Sequence, residues 1–141
     1  MRKYGFGIIG CGVISRWHAD SINAIENAKL IGVFDNREES AVKFSADYNC
    51  RVFKTMEDMF SSEDIDIVCI CTPSGTHTPI AIKAAGYKKN IIVEKPMAIT
   101  REQISLVEQA ISENGVKMAV ISQLRFTDSV KKIKAAIDSG R

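Results

Sequence analysis

The first thirty-five residues constrain the fold most, because two apolar strands, a glycine turn, a helix and an acid follow one another there. Tyr4–Ile9 is a short apolar run that predicts a strand, and it leads directly into Gly10-Cys11-Gly12. Apolar residues at helical spacing predict a helix over residues 14–25. A second apolar run, Leu30–Phe34, ends at Asp35. This order is typical of a domain that binds a dinucleotide.

The two glycines of the turn are needed for different physical reasons. Gly10 permits the sharp turn out of the strand, and Gly12 lets the backbone approach a pyrophosphate that a side chain would keep away. The helix that follows offers unpaired N–H groups and the positive end of its dipole to the phosphates. Ser15 stands where the pattern prefers a third glycine or alanine, and serine is small enough to preserve packing of the helix on the strand.

The acid at the end of the second strand predicts which dinucleotide is bound. Asp35 lies 35 − 12 = 23 positions after Gly12, close to the spacing of about 20 at which an acid accepts hydrogen bonds from the adenosine ribose. A carboxylate repels a 2′-phosphate, so we expect NAD to be the cofactor. Arg37 follows two positions later and can offset this repulsion, which keeps NADP open as an alternative.

The composition disfavours several other classes of protein. A chain of 141 residues with 45% hydrophobic and 26% charged residues fits one globular domain, and a net charge of +2 does not favour nucleic acid as a partner. No apolar run reaches the roughly 18 residues of a membrane span. The first predicted strand starts at Tyr4, which leaves no room for a signal peptide. Four cysteines without a C-x-x-C pair predict reduced thiols in a cytoplasmic protein without a metal, and a zinc site is the disfavoured alternative.

Strand and helix patterns alternate along the rest of the chain. Further strands are predicted at 51–53, 65–71, 90–93 and 117–122, and helices at 37–48, 56–60, 78–85, 100–115 and 129–138. This alternation predicts an α/β fold, a doubly wound parallel sheet (Rossmann fold) with about six strands and helices on both faces. We expect a single dinucleotide-binding domain over residues 1–141.

Several side chains are predicted to cap helices or to pack against the core. Thr78 is expected to cap a helix, and Thr100 with Gln103 forms the pattern of a capping box. On the first helix His18 is expected either near the cofactor or in helix packing, and Trp17 in the core or against another domain. Arg16 is expected to be solvated, with a phosphate contact as the alternative. The residues of the last helix predicted to face inward are Val130, Ile133 and Ile137.

Candidate binding groups collect at one edge of the predicted sheet. Right-handed crossovers bring the carboxyl ends of parallel strands to the same edge, where doubly wound sheets bind their ligands. The groups at these predicted strand ends are Gly10, Asp35, Thr72-Pro73, Glu94-Lys95-Pro96 and Gln123. We therefore expect one binding site along this edge.

Lys95 is the residue at this edge best suited to chemistry. Pro96 restricts the residue before it to an extended conformation, which would direct the ammonium across the edge toward a nicotinamide. Removal of hydride from an alcohol carbon requires the hydroxyl proton to leave, so a nearby lysine can act as acid or base. The alternative is a surface ion pair between Lys95 and Glu94, which would contribute little.

Three motifs stand in a fixed order along the chain. They are the glycine turn, the segment Cys71-Thr72-Pro73-Ser74-Gly75-Thr76-His77 and the tripeptide Glu94-Lys95-Pro96. Together they resemble the Gfo/Idh/MocA family, the relatives of glucose–fructose oxidoreductase and inositol dehydrogenase, and the resemblance covers the whole chain. It implies an NAD(P)-dependent dehydrogenase that transfers hydride between the cofactor and a hydroxyl carbon of a sugar, cyclitol or related small molecule.

The resemblance also implies a role for each residue of the edge. Asp35 would hold the adenosine ribose with Arg37 near the adenine, Glu94 would contact the nicotinamide-side ribose, and Lys95 would be the catalytic lysine. The residues implied to cradle the pyrophosphate are Gly10, Gly12, Val13 and Ile14, those along the nicotinamide half are Thr72, Pro73 and His77, and Pro96 and Gln123 complete the cofactor site.

Family members also have a larger second α/β domain, which binds substrate, forms the oligomer interface and supplies a catalytic aspartate and histidine. The two histidines of this chain, His18 and His77, both lie in the nucleotide half. We therefore expect that the second domain is absent here, that the chain binds NAD with little or no turnover, and that the full-length protein is a homo-oligomer. The alternatives are a non-catalytic NAD-sensing or regulatory domain, which has no need of Glu94-Lys95-Pro96, and another two-domain dehydrogenase of related fold.

Overall fold

A parallel sheet of six strands forms the centre of the protein in the computed structural model, which describes residues 2–140. The strands are β1 (Tyr4–Ile9), β2 (Ala28–Phe34), β3 (Arg51–Val52), β4 (Ile67–Ile70), β5 (Asn90–Val93) and β6 (Met118–Val120). They lie in the order β3-β2-β1-β4-β5-β6, and each neighbouring pair is parallel. The predicted doubly wound fold is confirmed, and its strand order reverses between β1 and β4.

The helices connect these strands and cover the sheet. They are α1 (Val13–Asn23), α2 (Glu38–Tyr48), α3 (Met56–Ser61), α4 (His77–Gly86), α5 (Arg101–Asn114) and α6 (Asp128–Asp138), with short 3₁₀ helices at Ser74–Thr76 and Gln123–Phe126. In the part of the chain that the structure describes, no helix is both long and apolar enough to span a membrane.

The ends of two helices test the predicted caps. The capping box of α5 is confirmed, because the Thr100 side chain accepts from the Gln103 backbone while the Gln103 side chain accepts from the Thr100 backbone. The predicted cap at Thr78 is wrong, since α4 already begins at His77 with Thr76 at its N-cap position. The reason is the 3₁₀ turn at Ser74–Thr76, which leads the chain into helical geometry earlier than a threonine–proline pattern suggests.

Two buried clusters form the core, one on each face of the sheet. Successive residues of a strand point to opposite faces, so Ile8 packs with α1 and α2 while Ile9 packs with α3, α4 and α5. Cys69 and Cys71 both belong to the cluster with Ile8, as their spacing predicts, and they pack there as small apolar groups. The sheet is therefore covered on both faces, and its carboxyl edge lies where the helices start.

The prediction that α6 packs inward is wrong. Its three apolar residues, Val130, Ile133 and Ile137, are 37%, 59% and 64% exposed. The helix packs mainly on the 3₁₀ helix at Gln123–Phe126 and not on the sheet, so its apolar side has no core to face. Trp17 on α1 is likewise 70% exposed and does not contribute to the core.

Candidate dinucleotide site

A cavity of about 850 Å³ opens at the carboxyl edge of the sheet, above the point where the strand order reverses. Its volume suits a cofactor-sized ligand. Eight of the residues predicted for the site line it, namely Gly10, Gly12, Val13, Ile14, Asp35, Arg37, Thr72 and Pro73. The structure therefore brings together the glycine turn, the acid after β2 and the turn after β4.

The two glycines of the turn meet different surroundings. Gly10 has a positive φ of 93°, and a Cβ there would lie 2.9 Å from the carbonyl carbon and oxygen of Cys71. A Cβ on Gly12 would meet no atom within 4 Å. The fold itself thus requires glycine at position 10, whereas the space above Gly12 belongs to the cavity. Gly12 is also the N-cap of α1 and makes no side-chain cap, so the first N–H groups of the helix are available to an anion.

Ser15 occupies the third position of the glycine pattern without disturbing it. Its side chain is completely buried, and its Oγ donates a 2.5 Å hydrogen bond to the carbonyl oxygen of Gly12. The hydroxyl is therefore satisfied inside the first turn of α1. Serine is tolerated there because it is small and because the turn supplies its acceptor.

Asp35 is held in place by the backbone on both sides of it. Its Oδ2 accepts a 2.8 Å hydrogen bond from the Cys11 N–H, and its Oδ1 accepts one of 2.8 Å from the Arg37 N–H. Each oxygen keeps lone-pair capacity for a hydroxyl of a ligand. The Arg37 side chain is 79% exposed and its Nε lies 4.0 Å from Asp35 Oδ1, so the guanidinium stands at the mouth of the cavity.

The turn after β4 is ordered by its own threonines. The Oγ1 atoms of Thr72 and Thr76 lie 2.8 Å apart, and Thr76 Oγ1 lies 2.7 Å from the carbonyl oxygen of Pro73. A hydroxyl has one proton, so Thr76 donates to the carbonyl and accepts from Thr72. This arrangement fixes the direction of the Thr72 hydroxyl at the wall of the cavity.

His77 is placed differently from the other predicted binding residues. It is 1% exposed, and its ring nitrogens lie 2.8 Å from the carbonyl oxygens of Thr72 and Pro96. A neutral imidazole carries one N–H, so the ring donates to one of these two carbonyls, and its position between them places it between the turn after β4 and the segment after β5. Since its polar atoms contact protein, His77 supports the wall from behind, and direct contact with a cofactor stays a prediction.

Glu94 is a buried acid at the end of β5. Its Oε1 lies 2.9 Å from His18 Nε2, and its Oε2 accepts a 3.3 Å hydrogen bond from the Lys95 N–H. Lys95 and Pro96, which are joined by a cis peptide bond, are exposed beside it. Between residues 2 and 140, the ion pairs do not include one between Lys95 and Glu94, so the surface-pair alternative is absent from the structure.

Gln123 lies apart from the cavity. The sequence pattern predicts a strand to residue 122, but β6 ends at Val120. Gln123 therefore starts the 3₁₀ helix Gln123–Phe126 and is exposed there. The prediction that Gln123 directly follows a strand is therefore wrong. β6 is an edge strand that pairs on one side only, and it is shorter than the apolar run from which it was predicted.

Sequence reasoning did not find part of the cavity wall. The lining residues of α3 and α4 that it missed are Met56, Pro79, Ile80 and Lys83. Nothing in their local pattern marks them, because they reach the site only when α3 and α4 pack on the sheet. Arg16, which was expected to be solvated, has a side chain that is 42% exposed, and it pairs with Asp47 at 2.7 Å and lies over the ring of Phe44.

The electrostatics of the glycine turn keep its cysteine neutral. Burial and the neighbouring Asp35 carboxylate raise the pKa of the Cys11 thiol from its usual 9.0 to about 12. Across the described part of the chain, residues 2–140, no cluster of three or more histidine, cysteine, aspartate or glutamate side chains could hold a metal ion.

A glycine turn at the reversal of a parallel sheet, a helix start that faces open space and an acid after the second strand define a dinucleotide-binding domain of the Rossmann class. Comparison with known proteins agrees with this class. The family model described as "Oxidoreductase family, NAD-binding Rossmann fold" matches residues 4–122. The chain belongs to this family, Gfo/Idh/MocA, as its motifs predicted.

Individual relatives are similar over almost the whole chain. The chain is 32% identical over 136 residues to inositol 2-dehydrogenase of Rhizobium meliloti, which covers 96% of this chain and 41% of that protein. It is 30% identical over 131 residues to glucose-6-phosphate 3-dehydrogenase of Bacillus subtilis, covering 93% and 37%. The solved structure of the WlbA dehydrogenase from Bordetella pertussis with NADH and UDP-GlcNAcA superposes with a TM-score of 0.95 at 33% identity, covering 100% of this chain and 42% of that one. The chain thus spans about two fifths of the length of these relatives.

Proposed function

We propose that the chain is the cofactor-binding part of an NAD-dependent dehydrogenase that acts on a hydroxyl carbon of a sugar, cyclitol or related small molecule. The observation that carries the proposal is the open space above Gly12, at the start of α1 and beside the fixed carboxylate of Asp35. A diphosphate fits against unpaired N–H groups there, and the adjacent ribose can donate to the acid.

The cavity supports a specific orientation of the cofactor. The pyrophosphate would lie on the turn formed by Gly10, Gly12, Val13 and Ile14, and the adenosine ribose would donate to Asp35. Arg37 would contact the adenine from the cavity mouth. The nicotinamide half would then extend past Thr72 and Pro73 toward the segment after β5, since these two residues line the cavity at the end of β4 and β5 is the next strand of the sheet.

Bound NAD would supply the acceptor for a hydride, and the chain would supply the groups around the reacting carbon. Lys95 is exposed at the edge beside the buried Glu94, so its amine can reach a ligand hydroxyl without an internal ion pair holding it. We propose that it takes or returns the hydroxyl proton. The non-catalytic sensor has no comparable support, because a sensor would not require the Glu94-Lys95-Pro96 segment at this place.

The nature of the relatives supports the substrate class. One is named as an inositol dehydrogenase, and another was crystallised with NADH and a nucleotide-linked sugar acid. We also propose that a second domain provides substrate binding and further catalytic groups, that the full-length protein is a homo-oligomer, and that it works in the cytoplasm, where its four thiols stay reduced.

A fluorescence titration tests the proposed cofactor. Trp17 is the single tryptophan of the chain, and it lies on α1 close to the glycine turn. NADH absorbs where tryptophan emits, so binding should quench Trp17 in a saturable way, and calorimetry should give the same Kd. Absence of binding at about 1 mM NADH, near the upper end of ordinary Michaelis constants, would overturn the proposal.

A turnover assay tests the proposed need for a second domain. The chain incubated with NAD and myo-inositol or glucose 6-phosphate should form no NADH, although it binds the cofactor. Formation of NADH by the purified chain would show that the residues present here suffice for the reaction.

A further inference from the structure

His18 and Glu94 form a buried contact between α1 and the end of β5. Their side chains are 11% and 8% exposed, and His18 Nε2 lies 2.9 Å from Glu94 Oε1. A carboxylate oxygen only accepts, so Nε2 carries the proton and donates. The two residues stand 76 positions apart, and their contact joins two separate parts of the cofactor edge.

The buried carboxylate depends on this donor. Removal of a carboxylate from water is costly unless hydrogen bonds replace the lost hydration. In the described chain, Glu94 receives a side-chain hydrogen bond from His18 and a weaker main-chain bond of 3.3 Å from its neighbour Lys95. His18 is therefore the side chain that decides which way the acid points.

The contact between His18 and Glu94 also connects the end of β5, where we propose that the nicotinamide lies, to α1, at whose start we propose that the phosphates bind. α1 starts beside Gly12, and His18 lies six residues farther on, which is about 9 Å along the helix axis. One rigid helix thus presents its N–H groups to the cavity at its start and holds Glu94 from its second turn. Glu94 Oε2 accepts a hydrogen bond from the Lys95 N–H. The orientation of the Glu94 carboxylate therefore also fixes the position of the Lys95 backbone.

We propose that His18 is a positioning residue, which orients Glu94 and through it Lys95 toward the nicotinamide half of the bound cofactor. This inference rests on the proposed function, since it requires the nicotinamide to lie beside Glu94. It assigns no contact between His18 and the ligand. Its consequence is that His18 matters for the nicotinamide half and not for the ADP half.

Two substitutions separate the hydrogen bond from the bulk of the ring. In His18→Leu the side chain stays large but has no donor, whereas in His18→Gln the amide N–H can reach the place of Nε2. We expect His18→Leu to weaken NADH binding about tenfold and to leave ADP binding within about twofold, because loss of one hydrogen bond to a charged group has roughly that effect. We expect His18→Gln to bind NADH within about threefold of the unmodified chain. Ser21→Ala, on the same helix and exposed, is the control that should change neither ligand.

A double variant tests whether His18 acts through Glu94. If it does, His18→Leu combined with Glu94→Gln should bind NADH no more weakly than the weaker single variant, because both changes remove the same arrangement. Additive losses, or a His18→Leu loss that is equal for NADH and ADP, would overturn the proposal and indicate a packing role.

A measurement without ligand keeps this test separate from the proposed function. The Lys95 amide resonance should shift in the ¹H–¹⁵N spectrum of His18→Leu and return toward its original position in His18→Gln. If the unmodified chain binds neither NADH nor ADP, the proposed function fails, while the amide shift still decides whether His18 positions Glu94 and Lys95. An amide that is unmoved in His18→Leu, with the chain still folded, would overturn the positioning role.

Discussion

The backbone N–H of Cys11 donates a 2.8 Å hydrogen bond to Oδ2 of Asp35. This bond joins the glycine turn after β1 to the acid after β2, so the proposed phosphate and ribose positions are set relative to each other before any ligand arrives. A preorganised site loses less conformational freedom on binding. The carboxylate that we propose to bind the ribose is thus hydrogen-bonded to the turn that we propose to hold the pyrophosphate.

Replacement of this acid should change the choice of cofactor. Asp35→Ser is expected to weaken NADH binding about tenfold, because it removes a charged acceptor for the ribose hydroxyls, and to bring NADPH binding closer to that of NADH because the repulsion of the 2′-phosphate is gone. Calorimetric titration of both cofactors measures the ratio. Asp128→Asn, exposed on α6, is the control. NADPH that binds the unmodified chain more tightly than NADH would contradict the assignment.

Substitution of either glycine of the turn by alanine should have a different effect: one should weaken cofactor binding and the other should lower stability. Gly12→Ala should keep its melting temperature within about 2 °C, since its Cβ would meet nothing within 4 Å, but should weaken NADH binding at least about tenfold because the methyl occupies the phosphate space. Gly10→Ala should lose about 2 kcal/mol of unfolding free energy, because it combines φ of 93° with a 2.9 Å contact to Cys71.

Thermal melts and NADH titrations of these glycine variants separate the two effects. Gly86→Ala, at the end of α4, is the matched control, since a Cβ there also meets nothing within 4 Å and the position is remote from the turn. A Gly12→Ala variant that binds NADH normally would show that the pyrophosphate lies elsewhere.

The thiol of Cys11 should be unreactive in the folded chain. Its pKa is raised to about 12, so the nucleophilic thiolate becomes substantial only as the pH rises toward that value, whereas in the unfolded chain it forms near pH 9. At pH 8 we expect iodoacetamide to label native Cys11 on the order of a hundredfold more slowly than the unfolded chain. Peptide mass spectrometry measures this, with half-buried Cys50 as internal comparison. Equal rates in the folded and unfolded chain would disprove the shift.

The raised pKa of Cys11 also predicts how the free energy of unfolding depends on pH. Because the folded-state pKa of Cys11 lies above the unfolded value, the stabilisation is complete below about pH 9 and is lost as the pH rises toward 12. Alkaline conditions should therefore unfold the chain more easily than neutral ones.

The exposed apolar side of α6 should tolerate charge. The double variant Ile133→Lys/Ile137→Lys is expected to change the unfolding free energy by less than about 0.5 kcal/mol, because both residues are more than half exposed. Val107→Lys on α5 is the contrasting change, since Val107 is fully buried and an unpaired ammonium there should prevent stable folding. Urea unfolding compares them. A large loss from the α6 variant would mean that this helix packs on the domain in solution.

Local chemistry explains why much of the site was predictable. The turn at Gly10, the acid at Asp35 and the capping box at Thr100 depend on residues close in sequence, and topology rules then place strand ends at one edge. Periodicity identifies which residues share a helix face but not what covers that face. The pattern of Val130 and Ile133 was therefore recognised as one face, yet its inward direction was wrong.

The sequence by itself determined the order of strands and helices, the glycine turn and the acid that accompanies it, because each of these depends on local propensity and on short-range spacing. Only the tertiary structure decided that His77 supports the cavity wall from behind, that Lys83 lines the cavity, and that His18 holds Glu94 across 76 positions of chain. Such contacts form when helices pack on a finished sheet, and no single segment contains the information that positions both partners.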